Sequence, residues 1–470
     1  MTHWRSVVLW AAVTMAGCAG LPPKPVPVKL PTDAPLSDLE AGGGSWPTQD
    51  WWKRYGDSTL DRLIDMALVS SPTLATARAR FDSARQSVRV AGAASGAHVD
   101  ATGDADRQRL SDHGIFPARL LGFSAYSLYD LGLQAGYTFD WWDKQKDSVQ
   151  AAIDEAHATH ADRSAAALVL ASSVADTYFG WQADQSRLAL ARERETTVVR
   201  EGSLTTARIR AELDPADEAQ RAESDVAAVR ERIAALEGSA RLRVVALAAL
   251  VGRPAAELPP FTARPLPAVE KGLPDDVRID LIARRADITA SRWRVEAAEK
   301  SRESARAEFF PDISVNALIG VQSVDLGSLL QYGSRVPQVA AAVHLPIFDA
   351  GRLKARYGAS QAAIDSAVAN YQDTLVSAAR EVATQATSRA QLAAQRTQRL
   401  IEVDAAQRLK VSAAARVRQG VTDSRTELTA TESWIEQRDE LLQLDAQALS
   451  ADIGLQRALG GGYEGTEETP

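Results

Sequence analysis

Cysteine is almost absent. Cys18 is the only one in 470 residues, so no disulfide can form within the chain. Methionine is as scarce. Past the N-terminal leader only Met66 remains, which argues against a soft-metal relay built on thioethers. Aromatics supply 6% of the chain although 45% is apolar, and much of the remainder is alanine. Such composition favours closely packed helices over bulky sheet cores. After residue 18 no apolar run reaches about 18 residues, so no helix is fit to span a bilayer. Any membrane crossing then requires a closed β-barrel. The net charge of −8 is unclustered, and no basic patch with interleaved aromatics offers a site for nucleic acid. Glycine-rich phosphate loops, nucleophile elbows and paired-cysteine motifs are missing, so no enzyme is expected. His157 and His160 stand three residues apart near Asp154 and Glu155. No third ligand accompanies them, and a solvated helix face is the expectation. Neither a metal nor a free cofactor is expected.

What is present begins with an export signal. Arg5 precedes an apolar run from Val7 to Ala16, followed by small residues. Met15-Ala16-Gly17-Cys18 resembles the lipobox of bacterial lipoproteins, in which the cysteine is lipidated and becomes the new N-terminus. That resemblance implies S-diacylglycerol and N-palmitoyl chains on Cys18. Ala19, being non-acidic, fits sorting to the outer membrane by the same resemblance. Residues 19–50 carry seven prolines from Pro22 to Pro47 and the run Gly42-Gly43-Gly44, the composition of an extended tether.

The rest of the chain repeats itself. Residues 63–103 align without gaps on 277–317, and Trp142-Asp143 falls on Phe348-Asp349. The expected organisation is a signal peptide (1–17), an anchored tether (18–50), a first repeat (51–253), a proline-rich linker (254–275), a second repeat (276–460) and a flexible tail (461–470). Each repeat opens with a helix, near 58–92 and 276–308. Period-two segments follow. Leu131, Leu133, Ala135, Tyr137 and Phe139 alternate with Gly132, Gln134, Gly136 and Thr138. Four strands are predicted near 97–107, 127–139, 311–323 and 335–347. A long helical stretch then follows each strand pair, free of proline from Pro117 to Pro215 and from Pro346 to Pro470. Pro215 suits a helix start, Gly420 a C-cap, and Thr422 or Asp423 an N-cap. Each repeat thus holds a helical hairpin whose first arm runs about 90–105 Å at 1.5 Å per residue.

Four amphipathic strands do not close a barrel. Two copies give eight strands, and three give twelve with room for a lumen. Tyr126, Tyr129, Tyr137, Phe139, Trp141 and Trp142 are candidates for interfacial aromatics, with core packing below the barrel the alternative for the two tryptophans.

Four segments carry a family resemblance. They are Trp51-Trp52-Lys53-Arg54-Tyr55-Gly56-Asp57; Leu281-Ile282-Ala283-Arg284-Arg285-Ala286-Asp287-Ile288; Ala305-Arg306-Ala307-Glu308-Phe309-Phe310-Pro311; and Leu345-Pro346-Ile347-Phe348-Asp349-Ala350-Gly351-Arg352. Together they resemble the TolC-like outer-membrane efflux family in its lipoprotein branch (NodT, RND outer-membrane factors), with Ala286 where the family usually has proline. The resemblance implies a mainly α fold with a small β part: a long α-helical coiled-coil barrel, with four strands per protomer in a 12-stranded trimeric transmembrane β-barrel. It implies a homotrimer in outer-membrane lipid, a periplasmic adaptor (membrane fusion) protein and an inner-membrane transporter of RND type. The function implied is passive exit of drugs, dyes and aromatic acids through a channel gated at its periplasmic helical tips.

Those tips map to about 205–222 and 416–432. The gate candidates there are Asp214, Asp217, Glu218, Asp423, Arg425, Thr426, Glu427 and Thr429. Carboxylates in a narrow pore favour cations, although Thr426, Thr429 and Arg425 depart from a simple acidic gate. Neutralising Asp217 and Asp423 together is expected to raise leak conductance. A channel for type I protein secretion and a structural coiled-coil periplasmic lipoprotein are the alternatives.

Overall fold

The computed structural model describes residues 22, 26, 28–31, 44–111, 113, 118, 122–269, 273–274 and 284–465. Cys18, residues 1–17 and most of the tether lie outside the described residues, as do 466–470.

Trp51–Tyr55 form a short 3₁₀ turn, α1 spans Ser58–Ser70 and α2 Pro72–Ala94. The sequence predicts one helix over this stretch, but the chain breaks at Ser71, which is extended (ψ 127°) ahead of Pro72. A proline ring pushes the preceding residue out of the helical region. Gly56 turns the chain at φ 65°, and Asp57 caps α1 by accepting from the Thr59 amide at 2.8 Å. The other Asp57 oxygen accepts from the buried Tyr178 hydroxyl at 2.8 Å. Asp57→Ala removes both, and thermal denaturation should register a loss of about 1–2 kcal/mol.

Strands β1 (His98–Arg109) and β2 (Ala125–Phe139) follow, then the long helix α3 (Lys144–Arg210) and α4 (Glu218–Val251). The same order recurs as α5 (Ala286–Ala307), β3 (Asp312–Ser323), β4 (Arg335–His344), α6 (Arg352–Arg418) and α7 (Ser424–Ala458). The second opening stretch, expected from 276, likewise breaks: Arg284 is helical, Arg285 is extended (ψ 124°) and α5 starts at Ala286, while residues 275–283 lie outside the described set. Both long arms hold 67 residues, about 100 Å of helix. An aspartate upstream organises each start. Asp140 accepts from the Gln145 and Lys146 amides, and Asp349 from the Gly351 and Leu353 amides.

The sheet runs β1-β2-β3-β4, antiparallel throughout. Below it the long helices lie in a row, α4–α3–α7–α6, each packed on its neighbour. Two apolar clusters hold the row at mid-height. In one, Trp51, Leu60, Leu63 and Ile64 pack on Val174, Tyr178, Leu247 and Leu449. In the other, Ile288 and Val295 pack on Tyr371, Leu375, Val382 and Leu455. The tether joins the second cluster through Val28 and Leu30, and the Tyr371 hydroxyl donates to the Pro31 carbonyl at 3.1 Å.

Candidate functional site

Strand register sorts side chains by face. Across the sheet Val99 stands level with Ala135, Ala317 and Val339, and Ala101 with Leu133, Ile319 and Pro337. The flanking levels put Tyr137 beside Val315 and Ala341, and Phe139 beside Ile313 and Val343. One face is therefore continuously apolar, yet Ile319 is 73% exposed and Val339 78%. On the opposite face Asp100 is level with Gln134, and His98 with Gly136 and Asn316. A water-soluble sheet buries its apolar face; a membrane barrel turns it outward and keeps polar groups within. The far edges of β1 and β4 have no partner strand among the described residues. The single amphipathic sheet is thus incomplete at both edges.

The helical layer is open in the same way. Its flanking helices, α4 and α6, carry exposed Leu242, Val245, Val376, Ile401, Leu409 and Val411. Apolar side chains spaced along an unpaired flank are the seam of a coiled coil awaiting its next helix.

At the far end from the sheet, the turns of the two hairpins meet. Glu212 is left-handed (φ 58°) between α3 and α4. Pro215 does not start the helix as the sequence suggests; it sits three residues before α4, its carbonyl accepting from the Glu218 amide at 3.2 Å. Gly420 (φ 70°) ends α6, and Asp423 caps α7 by accepting from the Arg425 amide at 2.8 Å. Between the turns lies an ion cluster. Arg208 donates through Nε and Nη2 to both Asp214 oxygens, at 2.8 and 2.9 Å. Arg425 reaches Asp214 at 3.6 Å, and Arg208 reaches Asp423 at 4.0 Å.

The cluster unites three of the eight residues singled out from sequence: Asp214, Asp423 and Arg425. Asp217 is not among them; its side chain is 70% exposed, with Arg221 at 3.9 Å, and Glu218 also faces Arg221. Thr426 and Glu427 are half-buried in the first turn of α7, and Thr429 is exposed. Arg208 is the partner that sequence reasoning missed. An arginine in the last turn before an Asp-Pro loop was its only signal.

The fork from Arg208 holds the Asp214 carboxyl below its ordinary range. A carboxylate with a lowered pKa keeps its contribution at every pH above its free value, about 3.9, and loses it only as pH falls through the lowered one. Contacts made by Asp214 should therefore survive mild acid. Thermal denaturation is expected to show no loss from this contact between about pH 7 and about pH 5.

Trp141 and Trp142 are exposed on the single protomer. Trp142 stacks on Phe310 at 4.7 Å and donates to the Pro311 carbonyl at 3.0 Å. Tyr126 departs from the expected aromatic set, because it shares the polar face and donates to Gln108 at 2.8 Å. The histidines also differ from the expected solvated face. His157 stacks on Trp293 at 4.7 Å, and His160 lies 5.1 Å from the Phe81 ring.

The family model described as outer membrane efflux protein matches residues 63–253 and 278–461. Multidrug resistance outer membrane protein MdtP of Escherichia coli strain K12 is 31% identical over 451 residues, covering 94% of this chain and 91% of that protein. Multidrug resistance outer membrane protein MdtQ of Escherichia coli O157:H7 is 29% identical to this chain, covering 96% of each. The solved outer membrane protein VceC of Vibrio cholerae superposes with a TM-score of 0.79 at 31% identity, over 89% of this chain and 100% of that one. The CmeC outer membrane channel of Campylobacter jejuni, at 21% identity and a TM-score of 0.85 over 96% of this chain, shares the fold.

Proposed function

The chain belongs to the outer membrane efflux protein family, and from that premise we propose that three copies close head to tail into the exit channel of a tripartite drug-efflux pump. The outer membrane is its location, and outward transport is its role. The observation that carries the closure is the double incompleteness just described. A sheet with an outward apolar face and two open edges stands above a helix row with two apolar flanks. One rotation answers both. It sets β4 of each copy beside β1 of the next, and α6 beside α4. Three copies give twelve strands, enough to leave a lumen. A purely structural coiled-coil role leaves the amphipathic sheet without a purpose.

The lipid anchor fits this arrangement. Val26 lines one groove with Arg302 and Tyr357, close to where α5 and α6 meet the sheet. The eight residues from there to Cys18 reach at most about 27 Å, and acyl chains on Cys18 would enter the membrane within that radius.

At the helical tips, the Asp214 cluster serves as the resting closure. It ties the turn of one hairpin to the start of α7 in the other, so the tips spread only when those ion pairs part. A periplasmic adaptor, coupled to an inner-membrane transporter of RND type, would engage these tips. Asp214→Asn keeps the shape and removes the charge. Its leak conductance should rise several-fold, whereas Asp217→Asn should leave it unchanged. Equal conductance for both would remove the cluster from the gate.

Growth of a deletion strain, with and without the plasmid-borne gene, tests the export role. The panel is dyes, hydrophobic antibiotics, aromatic acids and copper. Sensitivity rescued by the gene supports efflux and names the substrate class. Sensitivity absent in a strain lacking other channels of this kind would contradict it.

A further inference from the structure

Charge on the four strands is sorted by sign as well as by face. Asp100, Asp104, Asp106, Asp130 and Asp312 all lie on the polar face. The three arginines, Arg107, Arg109 and Arg335, all lie on the apolar one. Their height is also the same in kind. Each sits at the end of its strand away from the helices, where the apolar row stops. On β1 the row Val99, Ala101, Gly103, Ala105 gives way to Arg107 and Arg109. On β4, Arg335 precedes Pro337, Val339, Ala341 and Val343. All three arginines are exposed, and among the described residues none is paired with a carboxylate. The guanidinium of Arg335 lies over the Tyr332 ring at 4.4 Å.

A charge turned toward lipid is costly at mid-depth and tolerated at the interface, where headgroups supply counter-ions. Placing only cations there, at only one end, matches an anionic headgroup layer on that side. Guanidinium presents a planar fork that suits phosphate oxygens.

We propose that Arg107, Arg109 and Arg335 form a rim that binds the phosphate groups of anionic outer-leaflet lipid. The proposal rests on the outward-facing barrel. Because β1 and β4 are the two edges of the sheet, closure of the ring sets Arg335 of one copy on the strand adjoining the next copy's Arg107 and Arg109. Each rim site then spans a subunit boundary, and lipid binding helps hold the ring shut.

The test uses the full-length lipidated channel, purified in detergent and incubated with bisphosphorylated lipid A or its dephosphorylated form. Lipid retained after washing is weighed by native mass spectrometry. The wild type should retain the phosphorylated form about tenfold better than the dephosphorylated one. R107Q/R109Q/R335Q should lose that preference. R107K/R109K/R335K, which keeps charge without the fork, should fall between. Asp130→Asn, a charge change on the polar face, should behave as wild type. Excess inorganic phosphate should not displace the lipid. Equal retention of both lipid forms by the wild type overturns the proposal, and displacement by inorganic phosphate reassigns the site to the free ion. Every protein is first checked for heat-modifiable migration in the outer-membrane fraction. Absence of the wild type there would sink the barrel itself; its presence with equal retention sinks only the rim.

Discussion

Ile319→Lys is expected to empty the outer-membrane fraction of assembled channel. Ile319 lies mid-strand on β3, level with Leu133, Ala101 and Pro337, at the centre of the apolar face. A lysine facing lipid at mid-depth costs about 2–4 kcal/mol. Cyclic closure repeats that cost in every copy, about 6–12 kcal/mol over three, which is comparable with the whole stability of a folded domain. Gln134→Lys is the control. Gln134 is one position further along β2 than Leu133, so its side chain points to the other face and a lumen solvates the new charge. Heat-modifiable migration after membrane fractionation reads both variants. Lysine tolerated equally at 319 and 134 would mean that the apolar face does not meet lipid.

The second large effect is expected at Arg285. Its side chain is 9% exposed in the second core region. Nη1 donates to the Ala458 carbonyl at 2.8 Å and to Glu381 at 3.0 Å, while Nε and Nη2 fork onto Asp287. One guanidinium thus fastens the start of α5 to α6 and to the end of α7. Arg285→Ala strands a carbonyl and two carboxylates. Both carboxylates keep some water, so the loss is set at about 2–3 kcal/mol, toward the lower end for a broken buried pair. Arg285→Lys should recover only part of it, because an ammonium cannot reproduce the fork. The temperature at which the purified assembly dissociates in detergent is the measure. An alanine variant as stable as wild type would show that the second core alone holds these helices.

The strands were legible because membrane sheets leave their period of two unmasked: Leu131 through Phe139 state both faces in nine residues. Gly420 and Asp423 were legible as caps because their roles are local. What failed depended on distant neighbours. His157 looked solvated on its own helix, yet Trp293 comes from α5, more than a hundred residues later. Arg208 resembled any cation near a helix end until the Asp214 loop folded back onto it. Alanine-rich helices add to the difficulty, since alanine suits a seam and a solvated face alike. The break at Ser71-Pro72 was within reach of local rules and was hidden only by helical periodicity continuing on both sides.

The proposed function requires this chain to close, with its copies, into a pore. Single-channel recording of the purified full-length protein in planar bilayers tests it most directly, with wild type and Asp214→Asn side by side. Both should insert, with small closed-state steps for the wild type and several-fold larger steps for the variant. A preparation that inserts and never conducts, in either form, would contradict it.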